Sequence, residues 1–151
     1  MDNQTFLNEL QKALIPSEYK SCLNKKVPED HVLFKKGLYV FLGMPFDSVP
    51  KDDFNSYHAR KMTRGAVFCL PMIASKGLFL LYYGKKKLWE STYDKYVVDT
   101  TGFHSVILQS IHFVDPEDGY NVNTRTQWGP VKFGFCSGVI NRIGMICDKV
   151  K

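Results

Sequence analysis

From Thr5 to Ile15 the apolar residues Phe6, Leu10 and Leu14 recur every four positions with Leu7 beside them, and Pro16 closes the run. That spacing predicts an amphipathic helix. Ser17 to Lys26, with Tyr19, Cys22 and Leu23 on one side, predicts a second short helix that Val27-Pro28-Glu29-Asp30 breaks. The period then changes. Val32-Leu33-Phe34 and Leu38-Tyr39-Val40-Phe41-Leu42 read as strands, and Lys35-Lys36-Gly37 between them suits a hairpin turn with glycine where φ is positive. Residues 43–64, with Pro45, Pro50 and Asp52-Asp53, read as a surface connection carrying one helical turn.

Ala66–Leu70 and Leu78–Tyr83 are unbroken apolar runs of strand length, the pattern of strands covered on both faces. After Gly84-Lys85-Lys86-Lys87 turns the chain, Leu88–Tyr93 and Tyr96–Val98 are expected to be short strands. Phe103–Val114 leads through Asp115-Pro116-Glu117-Asp118-Gly119, a turn with proline preset, into Tyr120–Trp128. In that second strand Tyr120, Val122, Thr124, Thr126 and Trp128 alternate with polar residues, so one face is polar throughout. Val131, Phe133 and Phe135 extend the alternation, and Val139, Ile143, Ile146, Cys147 and Val150 return to helical spacing. The expected fold is α+β: an antiparallel β-sheet meander with an N-terminal and a C-terminal helix packed on it, over residues 1–151 as one domain.

The composition fits this picture and narrows the setting. With 151 residues, 44% hydrophobic, one core suffices without metals or disulfides. The longest apolar run, Gly77–Tyr83, is far short of the ~20 residues of a membrane helix. No basic stretch followed by an apolar one opens the chain, so no secretory signal is read. Cys22, Cys69, Cys136 and Cys147 stand singly among apolar neighbours, as buried free thiols do, and a cytoplasmic or nuclear location is expected. The net charge of +5 is spread along the chain: residues 1–75 hold ten basic and eight acidic side chains, residues 76–151 ten and seven.

The chemistry-bearing signatures are absent: no phosphate-binding glycine loop, dinucleotide fingerprint, nucleophile elbow or His-Glu-x-x-His occurs. His104 and His112 share a face of one predicted strand but lie ~27 Å apart along it, too far to act on one metal or one phosphate. None of the four histidines is followed two positions on by Ser or Thr, which excludes the repeated hallmark of two-histidine phosphodiesterases. The acidic pairs Glu29-Asp30, Asp52-Asp53 and Glu117-Asp118 flank turns, where carboxylates serve local hydrogen bonding, so neither a metal nor a cofactor is expected.

What remains is basic. Lys25-Lys26, Lys35-Lys36, Arg60-Lys61 with Arg64, and Lys85-Lys86-Lys87 all fall on predicted turns or loops. Gathered at one end of the sheet they would form a rim beside Tyr39, Tyr57, Tyr82, Tyr83 or Trp89, able to hold RNA phosphates or an anionic membrane surface. On turns, lysines also serve solubility and discourage edge pairing. The expectation is a small basic non-enzymatic binding protein, with a character that suits a viral accessory or matrix-type protein. Tyrosine-rich strands suit self-association into a homo-oligomer, with Arg125 and Trp128 as anchors. Two alternatives stand beside it: a metal-independent nuclease or phosphodiesterase using His104 or His58 as acid or base, and a module that recruits a protein partner.

Overall fold

The computed structural model describes residues 1–14, 20–21, 27–67, 76–98, 106–125 and 135–151. Helix α1 spans Asn3–Leu14, and six strands follow in sheet order: β1 Lys20–Ser21, β2 Val32–Lys36, β3 Tyr39–Pro45, β4 Lys76–Tyr83, β5 Val106–Asp115 and β6 Tyr120–Arg125. Helix α2 (Tyr57–Ala66) joins β3 to β4, α3 (Lys86–Trp89) lies between β4 and β5, and α4 (Phe135–Asp148) follows β6.

The sheet is mixed, and this corrects the expected antiparallel meander. Each strand does pair with its neighbour in sequence, but β3–β4 and β4–β5 are parallel while β1–β2, β2–β3 and β5–β6 are antiparallel. Parallel neighbours need a long crossover, and the connections 46–75 and 84–105 supply it. The class remains α+β, now with two crossover units at its centre.

Two apolar layers sandwich the sheet. On one face Phe6, Leu10 and Leu14 of α1 and Val139, Ile143 and Ile146 of α4 pack on Phe34, Phe41, Phe79 and Leu81. On the other, Ala59 of α2 and Trp89 of α3 cover Val40, Leu42, Leu80, Tyr82 and Phe113. Every residue of β4 is buried, as a strand covered on both faces requires.

Several expected elements change identity. Leu88–Tyr93 and Tyr96–Val98, read as strands, are instead α3, a 3-10 turn at Tyr93–Lys95 and irregular chain. Ring packing decides this. Trp89 is inward, its Nε1 donating to the Gly84 carbonyl at 3.0 Å, and Tyr96 packs against Phe113 at 5.3 Å between centroids. The single helical turn expected within 43–64 is the ten-residue α2, while β3 continues through Pro45. Ala66, expected to open a strand, closes α2. Lys20–Ser21, expected within a helix, pairs with β2. Phe135, expected in a strand, starts α4.

Gly119 closes the β5–β6 turn at φ 74°, and a Cβ there would stand 2.5 Å from the carbonyl oxygen of Cys147 in α4. Gly119→Ala therefore meets both a left-handed backbone and a rigid backbone atom. We expect it to destabilise the fold by about 2 kcal/mol, read as a lower urea midpoint at unchanged slope.

Candidate anion-binding surfaces

Because β3, β4 and β5 are parallel, Pro45, Tyr83 and Asp115 emerge at one end of the sheet, where open sheets with such crossovers commonly take ligands. A cavity of about 300 Å³ opens there, with Asp2, Asp47, Tyr83, Lys85, Asp115 and Glu117 in its lining. The carboxylate of Asp115 is occupied by structure. Its Oδ2 accepts from the Lys86 N–H at 2.7 Å, starting α3, and its Oδ1 from the Glu117 N–H at 2.9 Å, shaping the turn. Asp2 accepts from the Thr5 N–H at 2.7 Å, and that bond holds its carboxyl below the usual value. Among the described residues no group of three His, Cys, Asp or Glu could hold a metal ion. The acidic mouth disfavours anions.

The lysines do not form one rim. Lys36 pairs with Tyr39 and Tyr39 with Gly77, which places Lys35-Lys36 at the amino end of the parallel strands. Lys85, Lys86 and Lys87 follow Tyr83 at the carboxyl end, ~20 Å away along β4. There Lys85 Nζ lies 3.6 Å from Glu117, and Lys86 Nζ sits 3.9 Å over the Tyr120 ring and 4.0 Å from Glu90. Lys87 is exposed and makes no ion pair among the described residues. Lys25-Lys26 lie outside the described residues.

Arg60, Lys61 and Arg64 belong to α2. The helix turns Ala59, Met62, Thr63 and Ala66 inward, and leaves Tyr57, Lys61, Arg64 and Gly65 exposed. Its start is built by two neighbours. Asp53 accepts from the Tyr57 and His58 N–H groups at 3.0 and 3.1 Å, satisfying donors that a first helical turn leaves open. Ser56, at φ 52°, receives the Tyr82 hydroxyl at 3.2 Å, so the end of β4 is tied to the top of α2. Burial pushes the Tyr82 hydroxyl well above its ordinary value and keeps it a donor.

The outer face of α2 has a definite chemistry. Tyr57 is 61% exposed, the Arg64 guanidinium lies 5.9 Å over its ring, and the helix contains no Asp or Glu. Of the aromatic residues expected to line a basic rim, Tyr82, Tyr83 and Trp89 are buried in the core and Tyr39 is half-buried. Only Tyr57 among them presents most of its ring to a ligand.

No family model matches the chain, and neither a curated protein nor a solved structure matches it significantly.

The histidines have separate fates. His104 and Trp128 lie outside the described residues, and Arg125 is placed only as the last residue of β6. His58 sits in the first turn of α2, half-buried. His31 is buried, its Nδ1 2.7 Å from Asp30 Oδ1, and Tyr83 donates its hydroxyl to the Asp30 carbonyl. His112 is also buried, and burial brings it down to about 4, so it is neutral at physiological pH. Its Nε2 faces the Asn121 Oδ1 at 3.2 Å and therefore donates, while Asn121 Nδ2 donates to the Gly119 carbonyl at 3.3 Å.

Cys147 of α4 lies beside the same Asn121, and burial pushes its thiol up to about 11. Cysteine, histidine and asparagine together resemble a nucleophile's setting, but both acid–base shifts run the wrong way. A catalytic pair needs a thiolate beside an imidazolium. Here both groups are neutral, and they join β5, β6 and α4. The sequence pairs these three residues by no spacing, and the alternation of the hairpin does not single out Asn121 as the partner of His112.

Proposed function

We propose that the protein is a small basic, non-enzymatic binding and self-associating protein whose α2 face takes single-stranded RNA. The observation that carries this reading is the exposed Tyr57 with Lys61 and Arg64 beside it on a helix free of acidic residues. A ring that stacks on any base, flanked by cations for phosphates, is the arrangement sequence-tolerant strand binding uses. Lys87, exposed at the start of the other crossover, extends the positive field without completing the site. Self-association is assigned to β6, the last strand in the sheet order, which closes at Arg125.

Fluorescence anisotropy with a labelled mixed-sequence RNA tests the reading. Affinity should fall steeply with salt; Lys61→Gln with Arg64→Gln should weaken binding about tenfold and flatten the log–log salt slope by roughly 1.4. Tyr57→Ala should weaken it about tenfold as well, through lost stacking. Binding unchanged by all three replacements sinks the assignment. RNA recovered shortened would instead support the nuclease alternative through His104 or His58. Light scattering across protein concentration reads the self-association, and a monomer throughout removes that part.

A further inference from the structure

The amino end of the sheet differs in kind from the acidic carboxyl end, and from the α2 face. At the tip of the β2–β3 hairpin Leu38 is 62% exposed, although Leu33, Phe34 and Val40 around it are buried. The tip is not frayed: the Gly77 N–H donates to the Leu38 carbonyl at 2.8 Å, and Gly37 makes the turn at φ 57°. Strand alternation puts Lys35 and Lys36 on opposite faces, so a cation stands on each side of the leucine. No Asp or Glu occurs among the described residues of this end: 34–40, 62–67, 76–78 and 106–108.

We infer that this hairpin tip is a docking point for an anionic lipid membrane, with Leu38 entering the headgroup–acyl boundary and Lys35 and Lys36 resting on the headgroups. An aliphatic side chain with lysines on either side favours lipid over nucleic acid: leucine offers bases no stacking face, whereas an apolar residue and a basic flank are the two signals that reversible membrane binding combines. The inference uses different residues from the RNA reading, and each can fail without the other.

The test is co-sedimentation of the full chain, at ~0.15 M salt, with vesicles of phosphatidylcholine alone or with about 30% phosphatidylserine. Binding should require phosphatidylserine, fall about tenfold in Leu38→Asn, and persist in Leu38→Phe. Lys35→Gln with Lys36→Gln should weaken it about tenfold too, while Lys61→Gln with Arg64→Gln leaves it unchanged. Leu38 is exposed, so these variants should melt like the parent by circular dichroism. No binding to phosphatidylserine vesicles, or equal binding by Leu38→Asn, overturns the inference. So does RNA binding that falls with Leu38→Asn while vesicle binding does not.

Discussion

Trp89→Ala should lower the unfolding free energy by about 3–5 kcal/mol, a large share of the roughly 5–15 kcal/mol that holds a domain folded. Trp89 is fully buried, and its ring lies 5.6 Å from Phe113, 5.8 Å from Tyr120 and 6.1 Å from Tyr93. Truncation opens a cavity at the place where β4, β5, β6 and α3 meet, and leaves the Gly84 carbonyl without its indole donor. Trp89→Phe separates the two effects. It keeps most of the ring packing and should cost about 1–2 kcal/mol, near the worth of the hydrogen bond and the lost ring volume. Urea unfolding followed by circular dichroism reads both. Equal losses in the two variants would mean that the hydrogen bond, not the packing, fixes α3.

Trp89 was read as part of a strand and as a ring beside a basic rim, and the reason it is instead a buried helical residue is physical. Leu88–Tyr93 is rich in residues that favour strands, and such propensity is settled by tertiary packing. Four residues of α3 are too few to show a period; the Asp115 carboxylate that starts the helix comes from the far end of β5. In α2 the inward positions Ala59, Met62, Thr63 and Ala66 do follow helical spacing, but three of the four are small or polar, so the apolar signal is weak. By contrast, the Asp115–Gly119 turn and the Gly37 turn were readable because proline and glycine act locally. Strand direction was the main loss. The unbroken burial of β4 and the long connections on both sides of it are marks of a parallel strand, and a meander made of short turns has neither.

For the candidate surfaces, residue type was legible and placement was not. A lysine pair on a turn declares itself in one dimension, but which end of the sheet the turn occupies depends on strand direction. With β3, β4 and β5 parallel, Lys35-Lys36 and Lys85-Lys86-Lys87 separate to opposite ends, and the carboxyl end draws in Asp2, Asp47 and Glu117 beside Lys85. Two positive surfaces remain, one on α2, a helix with no Asp or Glu of its own, with an aromatic ring, and one at the hairpin tip with an aliphatic side chain.

Acid should weaken the fold well before the surface carboxylates titrate, and His112 should be the cause. Its folded value is about 4 against an ordinary 6.5, because burial disfavours the imidazolium. Between those two values the unfolded chain binds a proton that the folded chain does not, so stability falls as pH drops from about 6.5 to about 4 and this group adds no further loss below that. The full loss is about 3 kcal/mol. Asp2 and Glu9, held below their ordinary 3.8 and 4.5 by hydrogen bonds, follow the same proton order at lower pH: their stabilisation is present above those ordinary values and is lost as pH falls below them. The two effects therefore separate near pH 4.5. His112→Gln keeps a donor for the Asn121 Oδ1 and removes the titration, so urea midpoints of that variant should be flat from pH 6.5 to 4.5 where those of the parent decline. A decline of the same size in both would place the acid sensitivity elsewhere. Because Asn121 also bonds to Gly119, which packs against Cys147 of α4, protonation at His112 should loosen α4 from the β5–β6 hairpin first, seen as earlier exchange of the α4 amides than of those in β3 and β4.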